Sequence, residues 1–256
     1  MSGLANETYI LTGASRGIGR ALALELARRG AGLVLNGRDA AALAESAAAA
    51  AEAGGRDVAM VAGSAGKDAV ARMLVETALA NAGDGFAGVL HVAGVLRPGP
   101  HCWELPAKHF DEVFEASVTA VHRLARHAFP VLLKRGHGVF VLFGSGAAEI
   151  TQPGIAAYCA AKAAEEHLAR QLALETPAIT TFAFRPGIVD TPMQEAARNA
   201  KGGGARRLQQ VFLPWKERGE LLDPAVPARA LASILETDPR QFHGRVANLG
   251  FEQTGP

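Results

Sequence analysis

Cysteine is scarce in this sequence, which contains only Cys102 and Cys159 in 256 residues. Two cysteines cannot form the disulfide framework on which small secreted folds depend, so we expect a reducing compartment, the cytoplasm. The short polar stretch before the first apolar run does not resemble a secretory signal, and no apolar run is long enough to span a bilayer. These absences favour a globular protein without a membrane partner.

An excess of charge of either sign is also missing, because 26 lysine and arginine residues oppose 25 aspartate and glutamate residues. No basic cluster alternates with aromatic residues, so a nucleic acid partner is not expected. The eight histidines show no ligand spacing, and no metal site is predicted. The hydrophobic fraction of 49% suffices for one large core, which predicts a single domain over residues 1–256.

Segments typical of strands and helices alternate along the chain. Apolar runs that predict buried strands occur at 9–11, 32–36, 57–62, 85–92, 139–143, 179–184 and 245–249. Helical patterns lie between them at 20–27, 39–53, 67–81, 107–134, from 155 onward and at 224–236. The alternation predicts an α/β fold, a doubly wound parallel sheet (Rossmann fold) of about seven strands with helices on both faces. The segment 190–222 breaks the pattern, and we interpret it as a substrate lid.

A glycine-rich stretch joins the first predicted strand to the first predicted helix, and it reads Thr12-Gly13-Ala14-Ser15-Arg16-Gly17-Ile18-Gly19. Without a Cβ, the glycine backbone can approach a phosphate closely and can turn sharply. The turn directs the unpaired amides of a helix N-terminus at an anion. In this strand, turn and helix context, the stretch predicts a site for the pyrophosphate of a dinucleotide.

The end of the second predicted strand indicates which dinucleotide binds, because this position touches the adenosine ribose in a doubly wound fold. An acidic residue there would accept hydrogen bonds from a free 2′-hydroxyl, whereas an arginine would hold a 2′-phosphate. Gly37 and Arg38 occupy the position, and Arg16 lies in the glycine stretch. We therefore predict NADP(H). Asp39 keeps NAD(H) open, although it can also be a helix cap beside a solvated Arg38.

Three further side chains predict a reaction centre. Tyr158 and Lys162 are four residues apart on a predicted helix, so the phenol and the ammonium lie on one face. Ser145 follows the fifth predicted strand, at the carboxyl edge of the sheet where ligands bind. The pattern predicts that a hydroxyl, a phenol and a cation meet beside the dinucleotide.

Over essentially the whole chain, these motifs resemble those of the short-chain dehydrogenase/reductase family. The resemblance implies that Ser145, Tyr158 and Lys162 are catalytic, and that Pro186-Gly187-Ile188 with Thr191 forms the loop beside the nicotinamide. The cofactor contacts that it implies are Gly13, Ser15, Arg16, Gly17, Ile18, Gly19, Arg38, Ala93, Gly94, Tyr158, Lys162, Pro186, Gly187, Ile188 and Thr191. The segment from Pro186 to Gln194 further resembles the sepiapterin-reductase-like carbonyl reductases.

The resemblance also implies an activity, the NADP(H)-dependent reduction of a ketone or aldehyde or the oxidation of a secondary alcohol. Tyr158 would exchange a proton with the substrate oxygen, and Ser145 would hydrogen-bond that oxygen. Lys162 would favour the phenolate and reach the nicotinamide ribose. The family further implies a homodimer or homotetramer, formed through the helices around Phe114 and Leu168. The substrate is expected to be mostly apolar or ring-bearing and to contact the segments 96–103 and 193–222.

The sequence departs from the family pattern in three places. His91-Val92 replaces the usual Asn-Asn before Ala93-Gly94, Gly63-Ser64 replaces an acidic residue, and Ser117 replaces an asparagine that commonly supports the lysine. A serine hydroxyl can still join a proton chain, so we include Ser117 among the catalytic residues. We interpret His91 as a strand-end residue that bonds local backbone groups. The departures leave a second hypothesis open, an NADP-binding sensor or interaction protein with little turnover.

Overall fold

Seven strands form one parallel sheet in the order β3-β2-β1-β4-β5-β6-β7. The computed structural model describes residues 4–249, and its strands are β1 (Thr8–Thr12), β2 (Gly32–Gly37), β3 (Arg56–Ala62), β4 (Phe86–His91), β5 (Val139–Phe143), β6 (Thr180–Arg185) and β7 (Val246–Asn248). The strand order reverses between β1 and β4, and ligands bind at such a switch point in open α/β sheets. The predicted fold class and strand number are confirmed.

The helices connect the strands and cover both faces of the sheet. They are α1 (Gly17–Arg28), α2 (Ala40–Glu52), α3 (Asp68–Ala82), α4 (Ala107–Phe114), α5 (Ala120–Arg135), α6 (Ala156–Glu175), α7 (Pro192–Arg198), α8 (Ala205–Glu217) and α9 (Ala225–Thr237). Helix α1 begins three residues earlier than the sequence pattern predicts, inside the glycine stretch. This early start places the amides of its first turn at the switch point.

Two hydrophobic cores lie on opposite faces of the sheet, because successive strand residues point to opposite sides. Leu11, Leu33 and Leu35 face α1, α2 and α9 in one core. Ile10 and Val34 face α3, α5 and α6 in the other. A strand that is buried on both faces reads as a continuous apolar run, which is why β1, β2, β4 and β5 are evident in the sequence.

Two predicted segments differ from the structure. The single helix expected at 107–134 is divided into α4 and α5 by a π-helical turn, Glu115–Thr119. Phe110, which lies on the stripe predicted to be core, is 37% exposed. The aperiodic segment 190–222 contains α7 and α8, whose few buried residues, such as Ala197 and Leu208, pack in a small separate cluster. Each of these helices buries only one or two residues, so the sequence shows no clear core stripe for either.

The close pairing of β4 with β5 depends on glycine at position 88. A Cβ there would lie 1.9 Å from the carbonyl oxygen of Val139, and Gly88 has φ 154°. We predict that Gly88→Ala lowers the free energy of unfolding by about 2 kcal/mol or more, because backbone of the sheet must move. Urea denaturation measures the change.

Gly136→Ala is the matched control for this prediction. Gly136 ends α5 with φ 79°, and its Cβ would meet no heavy atom within 4 Å. Gly136→Ala should therefore lower the free energy of unfolding only by the cost of a left-handed backbone, about 1 kcal/mol. Equal losses in the two variants would contradict the close-contact explanation.

Candidate active site

A cleft of about 720 Å³ runs along the carboxyl edge of the sheet. It begins at the glycine stretch, passes the end of β2, and ends between α6 and α7. Its volume is within the range of sites for cofactors and small molecules. Of the predicted site residues, the cleft is lined by Gly13, Ser15, Arg16, Gly17, Ile18, Gly19, Arg38, Ala93, Gly94, Tyr158, Lys162, Pro186 and Thr191.

Backbone atoms of the glycine stretch, without side chains over them, form one end of the cleft. A Cβ at Gly13 would lie 2.8 Å from the backbone of Ala93, and one at Gly19 would lie 2.1 Å from the Gly13 carbonyl oxygen. Gly13 and Gly17 adopt positive φ values of 69° and 55°. No side chain caps α1, whose N-cap residue is Arg16, so the first amides are available to an anion. This end fits the pyrophosphate of a dinucleotide.

Arginine lies where a dinucleotide bound in this way would present its adenosine ribose. Arg38 is exposed and lines the cleft directly after β2. Asp39 caps α2, because its carboxylate accepts a hydrogen bond of 3.1 Å from the Ala42 amide. It also forms a 3.4 Å ion pair with Arg16. Asp39 therefore has the helix-capping role that the sequence left as an alternative.

Lys162 occupies the inner end of the cleft, where its side chain is only 4% exposed. Its Nζ donates to the carbonyl oxygen of Phe143 at 2.6 Å and to Oε2 of Glu165 at 2.7 Å. Burial lowers the pKa of Lys162, but the negative charge of Glu165 opposes it, and the pKa is raised overall. The buried ammonium is therefore paired on one side, and it faces the cleft beside Gly94 on the other.

Tyr158 shares this end of the cleft with Lys162. The Nζ atom lies 5.7 Å from the centroid of the tyrosine ring, and both residues line the cleft, as their spacing on α6 predicts. Tyr158 packs against two small buried clusters, one that includes Ile155 and Leu208 and one that includes Val95 and Val113. A half-buried phenol thus lies beside a buried cation.

Ser145 lies just beyond the cleft lining, which includes its neighbour Gly144 but not Ser145 itself. Its Oγ accepts a 3.2 Å hydrogen bond from the Ala147 amide and keeps its own proton to donate. Its backbone amide donates to Oε1 of Glu166 at 3.1 Å. Both carboxylate oxygens of Glu166 accept from Arg185 at 2.7 Å. The Glu166–Arg185 pair therefore holds the segment after β5 against α6 and β6.

His91, the last residue of β4, connects three parts of the site. Its Nε2 lies 3.0 Å from the carbonyl oxygen of Ala116, so Nε2 carries the proton and Nδ1 accepts from Thr12 Oγ1 at 2.8 Å. That hydroxyl in turn accepts from the Ala93 amide at 3.2 Å. Burial, with the charge of Lys162, lowers the pKa of His91 to about 3 and keeps the imidazole neutral. His91 thus bonds local groups, as the sequence predicts, and fixes the Ala93 loop.

Ser117, Gly187 and Ile188 do not line the cleft. Ser117 is completely buried in the π-helical turn, and its Oγ has no hydrogen-bond partner among the described residues. The structure brings Tyr158 and Lys162 together in the cleft, whereas these three residues lie outside its lining. Their predicted contacts with cofactor or substrate stay predictions.

Sequence reasoning did not select Glu165 and Glu166, which are 0% and 3% exposed on α6. A signal was present, because Glu165 follows Lys162 by three residues and Glu166 by four, which places all three near one helix face. However, two adjacent glutamates on an alanine-rich helix predict a face exposed to solvent. Only the packing of β5 and the π-helical turn against α6 shows that they are buried.

The two segments expected to contact substrate meet at the outer end of the cleft. The Gly99 carbonyl accepts from the Gly204 amide at 2.8 Å, and the Glu104 carboxylate accepts from the Gly203 amide at 3.1 Å. Leu96, Met193 and Ala196 line this end. Trp103 is 81% exposed and does not line it, so the cleft wall is aliphatic rather than aromatic at this point.

Residues 4–249 contain no cluster of three or more histidine, cysteine, aspartate or glutamate side chains placed to hold a metal ion. Within the same range, no helix is both long enough and apolar enough to cross a bilayer.

The sheet order and the glycine-lined cleft define a Rossmann-fold protein. A family model described as short chain dehydrogenase matches residues 7–202, and the chain belongs to this family of oxidoreductases, whose members bind nicotinamide cofactors.

Relatives from several organisms agree with this assignment. A 1-deoxy-11-beta-hydroxypentalenate dehydrogenase of Streptomyces arenae is 38% identical over 203 residues, 76% of this chain and 71% of the relative. An NADPH-dependent pterin aldehyde reductase of Arabidopsis thaliana is 30% identical, over 74% of this chain and 78% of the relative. The crystal structure of a short chain dehydrogenase/reductase from Saccharomyces cerevisiae superimposes with a TM-score of 0.84 at 28% identity, covering 96% and 97% of the two chains.

The neutral, buried imidazole of His91 predicts a pH dependence of stability. Its pKa is about 3 in the fold and near 6.5 in the unfolded chain, so the unfolded state binds more protons between these values. Stability contributed by His91 is therefore lost as the pH falls. Between about pH 6 and about pH 5, the free energy of unfolding should fall by about 1 kcal/mol more in the wild type than in His91→Gln.

Urea denaturation of both proteins at the two pH values measures this difference. Taking the difference cancels the titration of other groups, including Glu165, which binds protons more readily in the fold than when unfolded. The same pH dependence in both proteins would show that His91 is not held neutral.

Proposed function

We propose that the protein is an NADP(H)-dependent oxidoreductase that reduces a ketone or aldehyde, or oxidises the corresponding alcohol, with Tyr158 as the acid and base. The observation that carries the proposal is the placement of the Tyr158 phenol beside the buried Lys162 ammonium, in the same cleft as the glycine stretch. The two ends of the cleft supply what a carbonyl reduction requires, a dinucleotide site and a proton donor.

The roles of the side chains follow from their contacts. NADPH, when bound, supplies the hydride. The substrate oxygen gains negative charge as it is reduced, and Tyr158 gives its phenolic proton to that oxygen. Lys162 stabilises the resulting phenolate through its charge. The Ser145 hydroxyl accepts from Ala147 and so has its proton free to hydrogen-bond the substrate oxygen. In the oxidation direction the proton moves the opposite way.

NADP(H) is favoured over NAD(H) by the charges at the ribose end. Arg38 and Arg16 bring two guanidinium groups to this end, and the neighbouring carboxylate of Asp39 is engaged by the α2 amide and by Arg16. A 2′-phosphate would gain charge-assisted hydrogen bonds from such arginines. The NADPH dependence stated for the Arabidopsis thaliana relative agrees with this choice.

The substrate is proposed to bind between Tyr158 and α7, under the segment 190–222 acting as a lid. Leu96, Met193 and Ala196 form an apolar wall there. A mostly apolar carbonyl compound would bind this wall favourably, because binding removes apolar surface of both from water. We also propose that the chain forms a homo-oligomer through the helices around Phe114 and Leu168, because the Phe110 ring on α4 is exposed in the single chain.

Tyr158→Phe tests the proposed acid and base. The variant should oxidise NADPH with a panel of diketones, quinones, pterin aldehydes and steroid ketones at least about 100-fold more slowly than the wild type, because the phenol that donates the proton is removed. Tyr9→Phe is the control, since Tyr9 is the only other tyrosine and lies in β1 away from the cleft. It should keep wild-type turnover.

Unchanged turnover in Tyr158→Phe would refute the mechanism. Tight binding of NADPH without turnover of any carbonyl compound would instead favour a sensor or interaction protein. Fluorescence of bound NADPH measures the binding separately from turnover.

Arg38→Ala tests the cofactor preference. Loss of a charge-assisted hydrogen bond to the 2′-phosphate should raise the KM for NADPH about 10- to 100-fold, while the KM for NADH changes about twofold or less. Steady-state kinetics with both cofactors measures the two values. Arg72→Ala, an exposed arginine on α3, should change neither. Equal increases for both cofactors in Arg38→Ala would mean that Arg38 does not hold the 2′-phosphate.

A further inference from the structure

Glu165 is a carboxyl group without any access to solvent, located directly behind the reaction centre. Its exposed fraction is 0%, and it lies one helical turn after Lys162 on α6. A carboxylate buried in this way is costly unless it is paired or holds a proton. Neither the dinucleotide site nor the acid and base described above uses it.

The hydrogen bonds of Lys162 show how Glu165 is connected to the cleft. An ammonium has three protons to donate. One is donated to the Phe143 carbonyl oxygen at 2.6 Å and one to Glu165 Oε2 at 2.7 Å. The third remains for the side of the cleft, where Tyr158 lies. Lys162 therefore contacts Glu165 on one side and serves the reaction centre on the other.

A second buried polar group, the Ser117 hydroxyl, lies beside the Glu165 carboxyl group. Within residues 4–249, neither Oε1 of Glu165 nor Oγ of Ser117 has a hydrogen-bond partner. The Ser117 hydroxyl lies close enough to Glu165 to act on its pKa. A hydroxyl can donate to a carboxylate or accept from a carboxylic acid. Ser117 can therefore hydrogen-bond Glu165 in both of its protonation states. A carboxyl group that gives and takes a proton requires a neighbour of this kind.

The surrounding charges decide where this proton resides. The charged and titratable groups that face the cluster are Lys162, Tyr158 and Glu166 on α6, His91 on β4 and, bound to Glu166, Arg185 on β6. Burial raises the pKa of Glu165 to about 7, although the charge of Lys162 opposes it. The pKa of His91 lies far below 7, so its imidazole is already neutral at this pH. The pKa of Lys162 is raised above its ordinary value, so the lysine is still charged at this pH.

We propose that Glu165 is a positioning residue that stores a proton for Lys162 and returns it during carbonyl reduction, with Ser117 adjusting to each state. This inference rests on the proposed function, because it assigns the source of the proton that Tyr158 delivers. It gives a role to the serine at position 117, which takes the place of the family's common asparagine.

The proton balance of the step is closed. Tyr158 gives its proton to the substrate oxygen and becomes a phenolate. The Lys162 ammonium reprotonates the phenolate. Neutral Lys162 no longer donates to Oε2 of Glu165, so it accepts the carboxylic acid proton at that oxygen, and Glu165 becomes a carboxylate. Between turnovers, water in the cleft returns the proton by way of Tyr158 and Lys162, because Glu165 itself has no access to solvent. When Glu165 is neutral, Lys162 lacks the charge that opposes its burial, so its ammonium is a stronger acid.

The first test is the pH profile of kcat for carbonyl reduction at saturating NADPH, from about pH 5 to about pH 9. In the wild type, kcat should fall as the pH rises through about 7, where Glu165 loses its proton. Glu165→Gln keeps the shape and one acceptor but cannot ionise. The kcat of this variant should be at least about tenfold lower than that of the wild type and should not change near pH 7. The KM for NADPH should change less than kcat.

Further variants separate this role from a structural one. Glu165→Asp keeps an ionisable carboxyl group and should keep the fall in kcat, which gives a readout if Glu165→Gln does not fold. Ser117→Ala should lower kcat in the wild type but not in Glu165→Gln, because the two residues act on one proton. A wild-type pH profile in Glu165→Gln, or additive effects in the double variant, would overturn the proposal.

The second test does not require turnover. Infrared difference spectra between wild type and Glu165→Gln should show the carbonyl band of a protonated carboxylic acid that disappears as the pH rises through about 7. Turnover without this band would overturn the role of Glu165 alone. The band without turnover of any carbonyl compound would contradict the proposed function and, with it, the catalytic part of this inference.

Discussion

The structure depends on one constraint, a lysine ammonium removed almost completely from water. A buried charge is tolerated only when its hydrogen bonds are made and its charge is balanced. The end of β5 supplies a carbonyl oxygen to Lys162, and α6 supplies the Glu165 carboxyl group. The same ammonium helps to keep His91 neutral at the end of β4. The ends of β4 and β5 and helix α6 are therefore arranged around a single positive charge.

Neutral His91 extends this arrangement to the opposite end of the cleft. Through Thr12 it holds the Ala93 amide, and the Ala93 backbone packs where a Cβ on Gly13 would lie. The glycine stretch is consequently fixed to the end of β4 by buried polar contacts. A site that is preorganised in this way loses less free energy when it orients a cofactor and a substrate.

The sequence was sufficient to predict the sheet, the glycine-lined end of the cleft and the pairing of Tyr158 with Lys162. These features depend on local periodicity, on the absence of a Cβ and on helical spacing, all of which a single sequence displays. The burial of Glu165, the bonds of His91 and the position of Ser145 outside the cleft lining depend on contacts between distant segments. Helices α7 and α8 were missed because they bury only a few residues in a small cluster.

A crystal structure of the protein with NADP⁺ and a product alcohol tests the proposed site most directly. We expect the pyrophosphate on the amides of Gly13 to Gly19, the 2′-phosphate beside Arg38, and the alcohol oxygen within hydrogen-bonding distance of the Tyr158 hydroxyl. Lys162 should still contact Phe143 and Glu165. A pyrophosphate bound away from the glycine stretch, or an alcohol oxygen out of reach of Tyr158, would contradict the proposed site.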